Sequence, residues 1–178
     1  MLAFLLGGAR SGKSLLAQRL AARAAGGAMV TVVVTGEAGD DEMADRILRH
    51  RADRPAGWPT VAAPRHLLAA LTALPDDTTV LIDCVSFWVA NRVMDGDGEP
   101  AVLAEAEGVA AWAGSRAGWT LVVSNEVGAG VVPDNELART FRDVLGRVNA
   151  ALSLRATRAW FVAAGRVVPL LDPPTELA

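Results

Sequence analysis

Residues Gly7-Gly8-Ala9-Arg10-Ser11-Gly12-Lys13-Ser14 read G-x-x-x-x-G-K-S, a spacing whose chemistry is phosphate binding. In such a loop the glycines let backbone N–H groups wrap phosphate oxygens, and the helix that follows adds its positive N-terminal end. Lys13 supplies a compact ammonium that folds back onto the same oxygens, and Ser14 supplies a hydroxyl for Mg²⁺. Lys13 is also the only lysine among the 17 lysines and arginines of the chain. A planar guanidinium does not copy a point charge here, so its presence at this position is informative. The competing interpretation is a glycine-rich strand-to-helix turn with an incidental lysine. The apolar run Leu2–Leu6 before the loop and the amphipathic run after it favour the phosphate loop, and nucleotide binding is the first expectation.

Three further residues have the types and places for chemistry. Asp83 ends the run Val80-Leu81-Ile82-Asp83, where phosphate-loop proteins hold Mg²⁺ or its water shell; a helix N-cap is the alternative. Glu126 is a second carboxylate at a strand end, and binding metal, acting as a base and fixing its loop all remain open for it. His50 stands in a run with Arg46, Arg49, Arg51 and Arg54, at the edge of the stripe Met43-Ile47-Leu48. Surrounding arginines favour the neutral imidazole, which is a nucleophile, and the same cations would hold a polyphosphate against it. The plain alternative is a surface histidine. His66, beside Arg65 at a helix start, reads as structural. With two histidines and a single cysteine, Cys84, widely separated, a structural zinc site is not expected.

The elements that must position these residues alternate short apolar runs with amphipathic ones, the pattern of an α/β protein with a mostly parallel sheet and helices on both faces. The pattern predicts strands at 2–6, 28–34, 79–83, 119–124, 158–163 and 166–170. Helices are expected at 13–25, 40–53, 64–73, 86–94, 100–116 and 134–156, and an irregular tail over 171–178. Asp95-Gly96-Asp97-Gly98-Glu99-Pro100 lacks calcium-loop spacing and reads as a plain acidic loop. A chain of 178 residues suits a single domain over 1–178. A net charge of −3 argues against a general nucleic-acid or membrane-surface binder. Cys84 lies in an apolar run and reads as a buried, reduced thiol. No run approaches a membrane span, and no targeting segment is visible, so a cytoplasmic protein is expected.

Taken together, these segments resemble the bifunctional adenosylcobinamide kinase/adenosylcobinamide-phosphate guanylyltransferase family of cobalamin biosynthesis. The phosphate loop matches, as do Asp41-Glu42-Met43-Ala44 with Arg46-Ile47 and the histidine segment, Arg54-Pro55 with Trp58, and Asp83-Cys84 with Trp88 and Asn91. The most distinctive block runs from Ser124-Asn125-Glu126-Val127-Gly128-Ala129-Gly130 through Pro133-Asp134-Asn135, Leu137-Ala138-Arg139 and Phe141-Arg142-Asp143 to Gly146-Arg147-Val148-Asn149.

The resemblance implies a RecA-like P-loop NTPase fold, a homo-oligomer of trimer type, and two reactions. A nucleoside triphosphate, GTP or ATP, phosphorylates adenosylcobinamide, the corrinoid substrate. GTP then gives GMP to that phosphate through a GMP–histidine intermediate, forming adenosylcobinamide-GDP and pyrophosphate. The family's histidine falls on His50, which with Lys13 makes up the expected catalytic pair. Nucleotide contacts are implied for Gly7 to Ser14, for Val34-Thr35-Gly36, for Arg51, Ala52 and Asp53, and for Asp83, with Mg²⁺ at Ser14 and Asp83. One position departs. Where the family carries a glutamate shortly after Trp58, this chain has Ala62, which cannot accept hydrogen bonds from the guanine N1–H and 2-amino groups. A kinase for another small metabolite and a nucleotide-sensing protein without turnover are the competing functional classes.

Overall fold

A computed structural model of the chain describes residues 1–37 and 54–172. The expected helix over 40–53, with His50, Arg51, Ala52 and Asp53, and the last tail residues, 173–178, lie outside the described residues. Seven strands form one sheet: β1 (Leu2–Gly7), β2 (Val30–Val34), β3 (Thr60–Ala62), β4 (Thr79–Asp83), β5 (Thr120–Asn125), β6 (Arg158–Ala163) and β7 (Arg166–Leu170). Their order across the sheet is β3-β2-β4-β5-β1-β6-β7. Every neighbouring pair is parallel except β6 and β7, which form an antiparallel hairpin. The helices among the described residues are α1 (Lys13–Ala25), α2 (Leu67–Thr72), α3 (Val85–Met94), α4 (Glu99–Ser115) and α5 (Glu136–Arg155).

The central strands are apolar on both faces because both faces are covered. Along β1 the pleat sends Leu2 and Phe4 into a core shared with α2, α3, α4 and α5, while Ala3 and Leu5 meet Ala17 and Ala21 of α1 on the other side. The β-branched run Val30-Thr31-Val32-Val33 of β2 is wholly buried, the environment such side chains fit best. Helix α5 starts where Asn135 caps it, its side-chain oxygen accepting from the Ala138 N–H at 2.8 Å. The pattern draws three elements too wide: 64–73 shrinks to α2, 134–156 to α5, and 28–34 starts at Val30 because Gly26 and Gly27 turn the chain first. β3 was not anticipated. At three residues it carries too little period to be seen, and its pairing with Val32–Val34 defines it.

Trp88 of α3 is the largest fully buried side chain, and its indole N–H donates to the Arg65 carbonyl oxygen at 2.8 Å. Truncating it removes packing and leaves that carbonyl only the longer bond from the Arg92 guanidinium, 3.3 Å. Trp88→Ala should cost about 3–5 kcal/mol of stability, read as a fall in the urea midpoint; a midpoint within error of the native protein would show that the core collapses around the gap.

Candidate active site

The loop between β1 and α1 is built from backbone constraints. A Cβ on Gly7 would lie 2.3 Å from the Val162 carbonyl oxygen and 2.9 Å from the Ser11 Oγ, so only glycine fits where β1 ends against β6. The Gly7 carbonyl accepts from the Glu126 N–H at 3.1 Å, tying the loop to the end of β5 as well. Arg10 (φ 57°) and Gly12 (φ 94°) then take left-handed backbone geometry, and Gly12 becomes the N-cap of α1. Ala9 and Arg10 are exposed at the tip and Gly8 is half-buried, while Ser11 and Lys13 are each 8% exposed. The Lys13 ammonium donates to the Gly8 carbonyl oxygen at 3.0 Å, which folds it back over its own loop.

Ser14, in the first turn of α1, donates from Oγ to the Asp83 carboxylate at 3.2 Å. Sheet order explains the meeting: β4 lies beside β5, and α1 crosses back over both. A hydroxyl and a carboxylate are hard oxygen donors of the kind Mg²⁺ takes. Among the described residues no group of three or more histidine, cysteine or acidic side chains could cage a metal by itself. The pair therefore fits an ion that keeps waters and phosphate oxygens as its remaining ligands.

A second cluster lies further along the same rim. Val34 stands in register with Asp83 on one side and Ala62 on the other. Thr35, fully buried, donates from Oγ1 to the Cys84 carbonyl oxygen, and a Cβ on Gly36 would lie 3.5 Å from the Phe87 ring. The Asn91 amide of α3 donates at 2.9 Å to both the Thr35 and the Pro64 carbonyl oxygens. Arg65 reaches Glu37 at 2.6 Å and Asp95 at 2.5 Å. Helix α3 and the loop after it thus pin the chain at Thr35–Glu37 and again at Pro64–Arg65, on either side of the segment that carries His50. Strand spacing of about 4.8 Å puts the ends of β1 and β2 roughly 14 Å apart, with Asp83 between them.

Of the carboxylates read from sequence, Asp83 joins the loop directly. Glu126 accepts from the Gly128 N–H at 2.5 Å, which fixes its own turn. His66 is exposed just before α2. The roles of Asn91 and Arg65 were not foreseen, since an amide inside a helix and one arginine among sixteen give no spacing signal. The tie between Gly7 and Glu126 was equally hidden, because it is made by backbone.

The fold and this rim define an α/β protein with a phosphate-loop-type turn between its first strand and first helix. Comparison with protein families matches residues 3–170 to cobinamide kinase / cobinamide phosphate guanyltransferase. The chain is 41% identical over 171 residues to the bifunctional adenosylcobalamin biosynthesis protein CobP of Pseudomonas aeruginosa, covering 96% of this chain and 97% of that protein. It is 38% identical over 178 residues to the bifunctional adenosylcobalamin biosynthesis protein CobU of Salmonella typhimurium and, equally, to that of Escherichia coli, each time over 93% of this chain and 97% of the relative. The chain belongs to the cobinamide kinase / cobinamide phosphate guanyltransferase family.

Cys84, next to Asp83, is free and buried. Burial pushes its thiol up, and the Asp83 carboxylate adds to this, so the thiolate is scarcer than in a free thiol. Iodoacetamide at mildly alkaline pH should leave the native protein unmodified and add a single group only after denaturation. Alkylation of the native protein at the rate of a free thiol would contradict this burial.

Proposed function

We propose that this chain is a bifunctional enzyme: a kinase for adenosylcobinamide and a guanylyltransferase for adenosylcobinamide phosphate. The observation that carries it is the Lys13, Ser14 and Asp83 arrangement, in a chain that belongs to this family over nearly its whole length. Within the proposal the chain is one RecA-like P-loop NTPase domain. For phosphorylation, the loop from Gly7 to Ser14 holds the triphosphate, and Lys13 offsets charge that builds on the β and γ oxygens as the substrate hydroxyl attacks the γ-phosphorus. Mg²⁺, when held by Ser14 and Asp83, would supply further neutralisation of phosphate charge.

For guanylyl transfer, the His50 imidazole attacks the α-phosphorus of GTP. An N–P bond forms, the bond to the β-phosphate oxygen breaks, and pyrophosphate leaves. The corrinoid phosphate then attacks the same phosphorus and returns His50 to its neutral form. Val34, Thr35, Gly36, Arg51, Ala52 and Asp53 line the nucleotide in this proposal, with Ala62 at its margin. The pinned ends at Thr35–Glu37 and Pro64–Arg65 give the histidine segment fixed points beside Asp83. A homo-oligomer, a trimer by the family's pattern, suits the exposed apolar side chains of β7, where Val167 and Val168 lie on an edge strand. Among the described residues no helix is long and apolar enough to cross a membrane, which agrees with a cytoplasmic enzyme acting on a small-molecule substrate.

Ala62 favours one second reading, a kinase that phosphorylates a small metabolite and never takes GMP. The two part on a single measurement, the intact mass after incubation with GTP and Mg²⁺ without corrinoid. The bifunctional enzyme gains one GMP that acid removes and alkali does not, and His50→Ala gains none; no adduct on a protein that binds GTP would leave the simple kinase. Lys13→Ala should lower both activities by about 10²–10³-fold or more, as loss of a preorganised charge at a transferring phosphate does. His50→Ala should spare phosphorylation, and loss of both activities in a folded His50→Ala protein would contradict the division of labour.

A further inference from the structure

The hairpin β6–β7 turns through Ala164 and Gly165, with φ of 50° and 74°. Left-handed geometry at both central residues is that of a two-residue type I′ turn, and the flanking pair Ala163 and Arg166 closes it. The Gly165 N–H points out of the hairpin and donates to the Ser11 carbonyl oxygen at 2.9 Å. A Cβ on Gly12 would lie 3.5 Å from the Gly165 Cα, so the turn rests against the backbone of the phosphate loop. Ser11 is not held there by its own side chain, since its Oγ is buried without a hydrogen-bond partner among the described residues. Its N–H makes only a long bond to the Gly8 carbonyl oxygen, 3.3 Å.

The Ser11 C=O and the Gly12 N–H belong to one peptide plane and, across a trans bond, point in opposite directions. Whatever fixes the carbonyl therefore aims the amide. From this we infer that the Gly165 N–H is a positioning group for phosphate binding: it turns the Ser11 carbonyl toward the hairpin and so presents the Gly12 N–H to the nucleotide. Without it the peptide can rotate, and a carbonyl oxygen facing the phosphates repels them where an amide would attract. The inference rests on the proposal that Gly7–Ser14 holds nucleotide phosphates. It assigns a part in that site to a turn far away in sequence, outside every motif.

The test uses backbone geometry. Nothing lies within 4 Å of a Cβ at Gly165, so a substitution there meets no steric neighbour and is opposed only by its positive φ. Asparagine tolerates that geometry and keeps the N–H, whereas a β-branched residue does not tolerate it. Gly96 (φ 87°), likewise open and on an acidic loop after α3, provides a turn of similar strain elsewhere. Titration calorimetry with GTP and Mg²⁺ would compare Gly165→Val, Gly165→Asn and Gly96→Val with the native protein, alongside thermal melts. Loss of one aimed amide should raise the Kd for GTP about ten-fold in Gly165→Val, with KM rising and kcat held within about two-fold. Gly165→Asn should recover most of that affinity, and Gly96→Val should lose stability without losing affinity. Native-like binding by Gly165→Val, or an equal loss in Gly96→Val, would overturn the inference. Should Gly165→Val not fold, Gly165→Ala takes its place with a smaller expected rise, and no rise there overturns it too. A native protein that binds no GTP would instead overturn the phosphate-loop proposal beneath it.

Discussion

The site hangs on how closely the end of β1 is packed between its neighbours. At Gly7 the chain passes within side-chain distance of the Val162 carbonyl, and its own carbonyl is taken by the Glu126 amide. β1 is the strand flanked by β5 and β6, so its C-terminal end has backbone on both sides. That crowding rules out a side chain and forces the chain up and over in a loop whose remaining turns are left-handed at Arg10 and Gly12. In the proposed function the loop's amides are its working groups, and amides are aimed by backbone contacts. Its support accordingly comes from β5, from β6 and from the hairpin after β6, all of which follow it by more than a hundred residues.

Parallel strands bring this about because they all end on the same rim, which is where open α/β sheets bind ligands. Asp83 at the end of β4 can meet Ser14, Thr35 can meet Cys84, and Val34 can sit beside Ala62 without any special loop. Helix α3 adds a second layer of fixation. Asn91 spends its amide on two carbonyls that would otherwise be left at the rim, and Trp88 spends its indole N–H on a third. Unpaired, each of those carbonyls would cost about 1–3 kcal/mol if buried. The polar cost of ending strands and loops here is thus met by a buried helix.

What could be read from the chain alone followed from local chemistry. The glycine-rich turn after β1, the carboxylate of Asp83 and the alternation of strands and helices are all signalled by residue type and spacing, and among the described residues the observed α/β sheet agrees with that reading. β3 escaped it because three residues carry no period, and the edge position leaves Thr60 and Ala62 exposed like loop residues. The supports of the loop escaped it for a different reason. Glu126 and Gly165 act through N–H groups that every residue but proline possesses, so no side chain marks the contact, and the glycine at 165 marks only a turn. Arg65 was visible only as one arginine among many, and its value comes from standing where Glu37 and Asp95 converge.

Asp83 is shared by the two parts of the rim, and this constrains how the proposed reactions can be separated. Its carboxylate receives the Ser14 hydroxyl, while its backbone pairs in register with Val34, one residue before Thr35. A change there alters the phosphate loop and the end of β2 together. The Lys13 bond to the Gly8 carbonyl is made within the loop, and Asn91 holds the carbonyls of Thr35 and Pro64 on the β2 side. Ala62 is the outermost of these positions, on the sheet's edge strand, and it is the least coupled to the others. Under the proposed function, a missing carboxylate at that edge can change how a base is held without disturbing how phosphates are. Under that proposal, loss of guanine discrimination and retention of phosphate chemistry are compatible in one chain, because three strands lie between Ala62 and the loop after β1.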